Sequence, residues 1–133
     1  MKFFISYRLT GEDPAKLKPI LESIQSTLTA GGHKNYCSFQ WQSHFEANDF
    51  SPAQILTHSL NELEHSDAVL AFMNSLEKSE GMLLEIGYAI AKKKKIYVLI
   101  REDITTAFVR QIADQVVEFR KIEDIPRFTK RFV

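Results

Sequence analysis

Short apolar runs alternating with longer amphipathic stretches constrain this chain more than any other feature of its sequence. Phe3-Phe4-Ile5 is the first run and reads as a buried strand that ends at polar Ser6 and Arg8. Over residues 14–30, Leu17, Ile20, Leu21, Ile24 and Leu28 recur at helical spacing, and Gly31-Gly32 ends the helix. Residues 35–41 read as a second strand, and residues 42–50, which have no clear period, as a loop. Ser51-Pro52 has the form of a helix start, a serine cap followed by proline at the first helical position. Ile55, Leu56, Leu60 and Leu63 then form one apolar face.

The run Ala68-Val69-Leu70-Ala71-Phe72-Met73 is continuously apolar, as a strand buried on both faces must be. Residues 81–91 read as a helix, Ile96-Tyr97-Val98-Leu99-Ile100 as another buried strand, residues 105–113 as a short helix, and Val116-Val117-Glu118-Phe119 as the last strand. The order βαβαβαβαβ predicts an α/β fold. We expect an open five-stranded parallel sheet with helices on both faces, flavodoxin-like or Rossmann-like, in strand order 2-1-3-4-5. No linker, repeat or low-complexity tract divides residues 1–133, so one domain is expected. Sheets of this kind bind ligands beyond the carboxyl ends of their strands, which points to residues 6–13, 74–85 and 101–106.

Composition narrows the partners. Seventeen Lys and Arg against seventeen Asp and Glu leave no net charge. A protein that neutralises many phosphates carries a basic excess, so no nucleic-acid polymer is expected. No apolar run approaches the roughly 20 residues of a membrane span, and no membrane partner is expected. The opening Met1-Lys2-Phe3-Phe4-Ile5-Ser6-Tyr7 is too short for a signal peptide and reads as a strand. The single cysteine, Cys37, fits a reducing compartment, and a cytoplasmic location is expected. No Walker or dinucleotide fingerprint is present, and no cofactor is expected. His33, His44, His58 and His65 lack metal-ligand spacing, and no metal is expected.

Glu85 is the most informative residue. It is the only charge in Gly81-Met82-Leu83-Leu84-Glu85-Ile86-Gly87-Tyr88-Ala89-Ile90-Ala91. A carboxylate on so apolar a helix must be solvated by a cleft, paired, or left with a raised pKa. Gly81 and Ala89 lie one turn to either side on the same face, leaving space above the carboxylate. The bland alternative is a glutamate favoured by the helix dipole or paired with a lysine. Ser79-Glu80-Gly81 begins that helix, as an anion site of hydroxyl and free backbone N–H groups or as an ordinary N-cap. Arg8, just past the first strand, either supplies a guanidinium to the same anion or is a surface residue. Lys92 to Lys95 suit a helix C-terminus, and Cys37 reads as a buried inert thiol. Trp41, His44 and Phe45 either line a pocket or pack.

The stretch Ser79-Glu80-Gly81-Met82-Leu83-Leu84-Glu85-Ile86-Gly87-Tyr88-Ala89, followed by Lys95-Ile96-Tyr97-Val98-Leu99, resembles the nucleoside 2-deoxyribosyltransferase superfamily. It is most similar to the branch of 2′-deoxynucleoside 5′-monophosphate N-hydrolases. Thr106-Ala107-Phe108-Val109-Arg110 with Ala113-Asp114, and Ser6-Tyr7-Arg8 with Glu12-Asp13, extend the likeness over nearly the whole chain. The resemblance implies an enzyme that breaks or transfers the N-glycosidic bond of a nucleoside 5′-monophosphate, with Glu85 as nucleophile at C1′. It implies Ser6, Tyr7, Arg8, Ser79 and Gly81 as substrate-binding residues, with Arg8, Ser79 and Gly81 around the 5′-phosphate. Thr106 matches a serine that reaches the phosphate from the neighbouring subunit, so a homodimer with shared active sites is implied.

The chain departs from the family at three places. The family's aspartate, eight residues before the position of Asp67, is here Ser59; a shifted pairing offers Asn61 or Glu62 instead. Ile5 replaces the glycine of the family's Gly-Ser-x-Arg loop, and residues 74–78 are longer than their counterpart. Two other readings follow from the same residues. Phe4-Ile5-Ser6-Tyr7-Arg8 with Ser79 and Glu85 also resembles the Toll/interleukin-receptor fold, some of whose members cleave NAD with a glutamate. The absent aspartate also fits a catalytically silent nucleotide-binding module.

Overall fold

A computed structural model of the chain describes residues 1–77 and 79–133; Lys78, in the segment read as longer than its family counterpart, lies outside the described residues. The five apolar runs form strands β1 (Lys2–Ser6), β2 (Lys34–Cys37), β3 (Ala68–Met73), β4 (Lys95–Arg101) and β5 (Gln115–Phe119). They pair in parallel in the order β2-β1-β3-β4-β5, as the alternation predicts. The helices are α1 (Pro14–Ala30), α2 (Gln42–Ala47), α3 (Pro52–Glu64), α4 (Glu80–Ala91), α5 (Val109–Ile112) and α6 (Ile125–Thr129). Among the described residues no helix is long and apolar enough to cross a membrane.

Alternate residues along each strand serve opposite faces of the sheet. Phe3, Ile5, Leu70, Phe72, Leu99, Val117 and Phe119 pack with Leu17, Leu21, Ile24 and Leu28 of α1 and Ile125 of α6. Phe4, Tyr36, Val69, Ala71, Val98 and Ile100 pack on the other face with Leu63 of α3 and Met82, Ile86 and Ala89 of α4. Both faces are therefore covered, which is why β1 and β3 read as continuous apolar runs.

Local signals set the helix ends. The Asp13 carboxylate accepts from the Ala15 N–H at 3.0 Å, with Pro14 opening α1. Gly31 ends α1 where a Cβ would stand 2.6 Å from Val133, and Gly32 follows at φ +86°, a conformation that costs glycine little. Ser51 and Gln54 complete a reciprocal capping box at the start of α3.

Three segments differ from the sequence reading. Strand β2 stops at Cys37 and a 3-10 turn runs over Ser38–Trp41. The segment expected as a loop holds α2, whose only buried residue is Phe45; one anchor in six residues leaves no periodic stripe to read. The helix expected over residues 105–113 is confined to α5; residues 104–107 are irregular, and Arg110 Nε donates to the Ile104 carbonyl at 2.7 Å. Beyond β5, α6 buries Ile125 and Thr129 beside α1.

Order 2-1-3 makes β1 the point where the chain reverses its direction of growth across the sheet. The crevice outside the ends of β1 and β3 is the place where such sheets bind ligands. Ser6 ends β1 there, and α4 starts shortly after β3.

Candidate active site

Ser79 caps α4: its Oγ accepts from the Met82 N–H at 3.2 Å. That bond uses a lone pair and leaves the hydroxyl proton free to donate. Gly81 is exposed, and a Cβ there would meet nothing nearer than Ser79 Oγ at 4.0 Å. The first turn of α4 is thus open on the Gly81 side. Ala89, read from the sequence as leaving space, is instead fully buried in the core.

One turn after Gly81, Glu85 turns toward the end of β1. Ser6, which has no exposed surface, donates its hydroxyl to Glu85 Oε1 at 2.7 Å. Among the described residues no cation forms an ion pair with Glu85. Burial raises the carboxyl pKa to about 7 against the smaller, opposing effect of the Ser6 hydrogen bond. Its proton therefore exchanges near neutrality, a property that clusters at functional sites. Of the alternatives left by sequence, neither a lysine pair nor full solvation is found among the described residues.

Arg8 leaves β1 in the opposite sense. Its Nη1 lies 3.3 Å from Glu12 Oε1 and 3.2 Å from Ser75 Oγ, and its Nη2 lies 2.5 Å from Glu77 Oε2. The loop closes over the guanidinium at Gly11, where φ is +81° and a Cβ would fall 2.8 Å from Nη2. Arg8, Ser79 and exposed Thr106 line one cavity of about 580 Å³ at the carboxyl edge of the sheet. Leu17, Ile20, Phe72, Met82 and Ile104 supply its apolar walls, and Lys16, Glu12, Asp13 and Glu77 add charge at its margin. Glu85 is not among the residues that wall this cavity.

On the other side of β1 stands an aromatic group. Tyr36 of β2 stacks on Phe4 with ring centroids 5.3 Å apart, and its hydroxyl lies 3.0 Å from His58 Nδ1. The His58 ring packs 5.0 Å from Trp41 and 5.2 Å from Phe45. Burial raises the Tyr36 pKa, with the charges of Glu62 and Glu85 adding to it. Of the three aromatics read as lining or packing, Phe45 is buried, while Trp41 and His44 pack on neighbouring rings with an exposed face.

The remaining candidates are placed as follows. Tyr7 turns away from α4: its hydroxyl lies 2.9 Å from Ser38 Oγ and its ring packs on Phe39. Ser59 is buried on α3 beside Tyr36, and it has no carboxylate to offer. Asn61 is exposed, with its carbonyl 2.8 Å from His65 Nδ1, and Glu62 pairs with Lys2 at 3.1 Å. Cys37 is buried, its thiol pushed up to about 12 mainly by burial. Among the described residues no group of three His, Cys, Asp or Glu side chains gathers to hold a metal. The structure thus gathers Ser6 with Glu85, and Arg8 with Ser79 and Thr106. Sequence reasoning missed the Tyr36–His58 pair; its one available signal was a histidine next to Ser59, the position that the resemblance singled out.

Among curated proteins none matches the chain in sequence. The fold is shared with solved structures. The CMP N-glycosidase BcmB of Clostridium botulinum superposes with a TM-score of 0.74 at 19% identity, covering 100% of both chains. A conserved protein from Enterococcus faecalis V583 gives 0.65 at 14% identity, over 100% of this chain and 99% of that one. A 2-deoxyribosyltransferase from Bacillus psychrosaccharolyticus gives 0.57 at 14% identity, over 96% and 92%. The sequence itself matches the family model for nucleoside 2-deoxyribosyltransferases over residues 12–121, a span that includes Glu85, Ser79 and Thr106. The chain belongs to the nucleoside 2-deoxyribosyltransferase family.

Proposed function

We propose that this chain cleaves, or transfers, the base of a nucleoside 5′-monophosphate through Glu85. The observation that carries the reading is the Ser6–Glu85 pair: a carboxylate without a cationic partner among the described residues, titrating near neutrality at the ligand edge of a family fold. Ionised Glu85 attacks C1′ as the C1′–N bond breaks, and a glycosyl ester forms on Oε. A carboxylate there stabilises the oxocarbenium-like transition state before bonding to it. Water then cleaves the ester, or a second base takes the sugar.

Arg8, Ser79 and Gly81 hold the 5′-phosphate in this reading. The phosphate displaces Glu77, whose side chain is 74% exposed and gives way easily, from the Arg8 guanidinium. Free N–H groups at the start of α4 add to the anion site. Ser6 orients Glu85, and Tyr7 shapes the loop beside it.

Thr106 is exposed and lines its own chain's cavity, and in a homodimer it reaches the phosphate site of the neighbour. Support comes from α4, whose Leu83, Leu84 and Ile90 are 59%, 55% and 50% exposed and form an apolar face that a second copy would cover. The lone buried cysteine supports a cytoplasmic setting.

Chromatography of free base after incubation with ribo- and deoxyribonucleoside monophosphates and NAD tests the reading, with CMP first because BcmB is named for it. Base release above a Glu85→Ala control supports it; nicotinamide release from NAD alone transfers the chain to the NAD-cleaving reading. A second reading, nucleotide binding without turnover, is favoured by Ser59 in place of the family's carboxylate. Calorimetric binding of a monophosphate with no base release would decide for it.

A further inference from the structure

Glycosidic cleavage leaves an electron pair on the base, and the departing base needs a proton unless it is already a stable anion. Ser59 is an alcohol, buried, and a poor acid at neutral pH. Another donor on the same side of Glu85 is therefore required if the proposed N-glycosidase reaction is correct, and this inference rests on that reading.

We propose that the Tyr36 hydroxyl, relayed by His58, protonates the departing base. Tyr36 sits on β2, the strand beside β1, whose end holds Glu85 through Ser6. Its oxygen and His58 Nδ1 are 3.0 Å apart, within proton-transfer distance. Both rings are fixed: Phe4 stacks on Tyr36 and Trp41 and Phe45 flank His58, so the pair keeps its geometry without help from a ligand. Burial, with smaller contributions from Glu62 and Glu85 and against the Ser59 hydrogen bond, keeps the phenol protonated at neutral pH.

The balance closes. Glu85 Oε bonds C1′ while the C1′–N pair leaves with the base. The base takes the Tyr36 proton as the His58 imidazolium passes its Nδ1 proton to the Tyr36 oxygen. When water attacks the glycosyl ester, its proton returns through Tyr36 to His58 and Glu85 leaves as carboxylate. The sum is nucleotide plus water giving base plus sugar phosphate. Tyr36 touches the substrate and is the catalytic residue; His58 is a positioning and relay residue.

Tyr36→Phe and His58→Gln separate this role from packing. Each variant is assayed on the monophosphate that the wild type cleaves fastest, and on the 4-nitrophenyl glycoside 5′-phosphate of the same sugar, whose leaving group needs no proton. Tyr36→Phe is expected to lose about 10²–10⁴-fold in kcat on the nucleotide, with nitrophenolate release changing less than about fivefold. His58→Gln, at a half-buried position, is expected to show the same selective loss at smaller size. Equal loss on both substrates, or no loss on the nucleotide, overturns the relay. A wild type that releases nitrophenolate but no base also overturns it, while one that releases neither removes the glycosidase reading and the relay with it.

Discussion

Ser6 Oγ and Glu85 Oε1, 79 residues apart in the chain, meet at 2.7 Å where β1 ends against α4. The hydroxyl comes from a residue with no exposed surface, so the bond is shielded from water. Among the described residues it is the one interaction that opposes the effect of burial on the Glu85 carboxyl.

Removing that bond has a signed consequence. In Ser6→Ala the Glu85 pKa rises above its value of about 7, because the lost donor favoured the ionised form. A bond to a charged group is worth about 1.5–3 kcal/mol, so the shift is on the order of one pH unit. The acid limb of kcat/KM against pH, which reports nucleophile ionisation in the free enzyme, moves up by that amount. An unmoved limb assigns the limb to another group.

Glu85→Gln trades activity for stability. The folded pKa of about 7 lies above the ordinary glutamate value of 4.5, so the folded state binds more protons than the unfolded state between those two values. Stability is therefore full below about pH 4.5 and falls as pH rises through 7. The amide lacks this loss. At pH 8 the variant is expected to be more stable than wild type by about 1–3 kcal/mol, with the gap closing near pH 5. Urea unfolding at the two pH values reads the difference, and a gap equal at both removes the linkage.

The Arg8 pairs predict a phosphate-specific effect. Arg8→Ala is expected to raise KM for a nucleoside monophosphate by about 10–100-fold, the size of one charge-assisted contact, and to leave the unphosphorylated nucleoside nearly unchanged. Glu77→Gln frees the guanidinium and lowers KM for the monophosphate by at most about fivefold, as the pair is largely exposed. Equal effects on nucleoside and monophosphate would place Arg8 outside the phosphate site.

The apolar face of α4 predicts assembly. Sedimentation is expected to find a wild-type dimer and a Leu84→Glu monomer, since a carboxylate buried in that face has no partner. If Thr106 serves the neighbouring site, the monomer loses monophosphate affinity along with association. A wild-type monomer removes the shared site.

Much of the scaffold is legible in the order of residues. The stripe from Leu17 to Leu28 spans more than three turns, and α1 runs over the expected residues. The six apolar residues of β3 read as a strand buried on both faces, and all but the half-buried Met73 are buried. Glu85 stands out because a single charge on an apolar helix is costly without a purpose. In contrast, α2 buries only Phe45 and carries no periodic signal. Nor does Arg8 announce its partners: Glu77 lies 69 residues away.

Local order along the chain is enough to specify the alternation of strands and helices, the two-sided core, the caps at Ser51 and Ser79, and Glu85 as the residue to explain. These depend on hydrophobic period and local hydrogen bonding, which act over a few residues and leave their pattern in the chain. Folding in three dimensions adds that Ser6 holds Glu85, that Glu12 and Glu77 occupy Arg8, and that Tyr36 meets His58 beside Ser59. Those contacts depend on sheet order, which brings distant strand ends to one edge, and on which carboxylate reaches a guanidinium first; no local pattern encodes either.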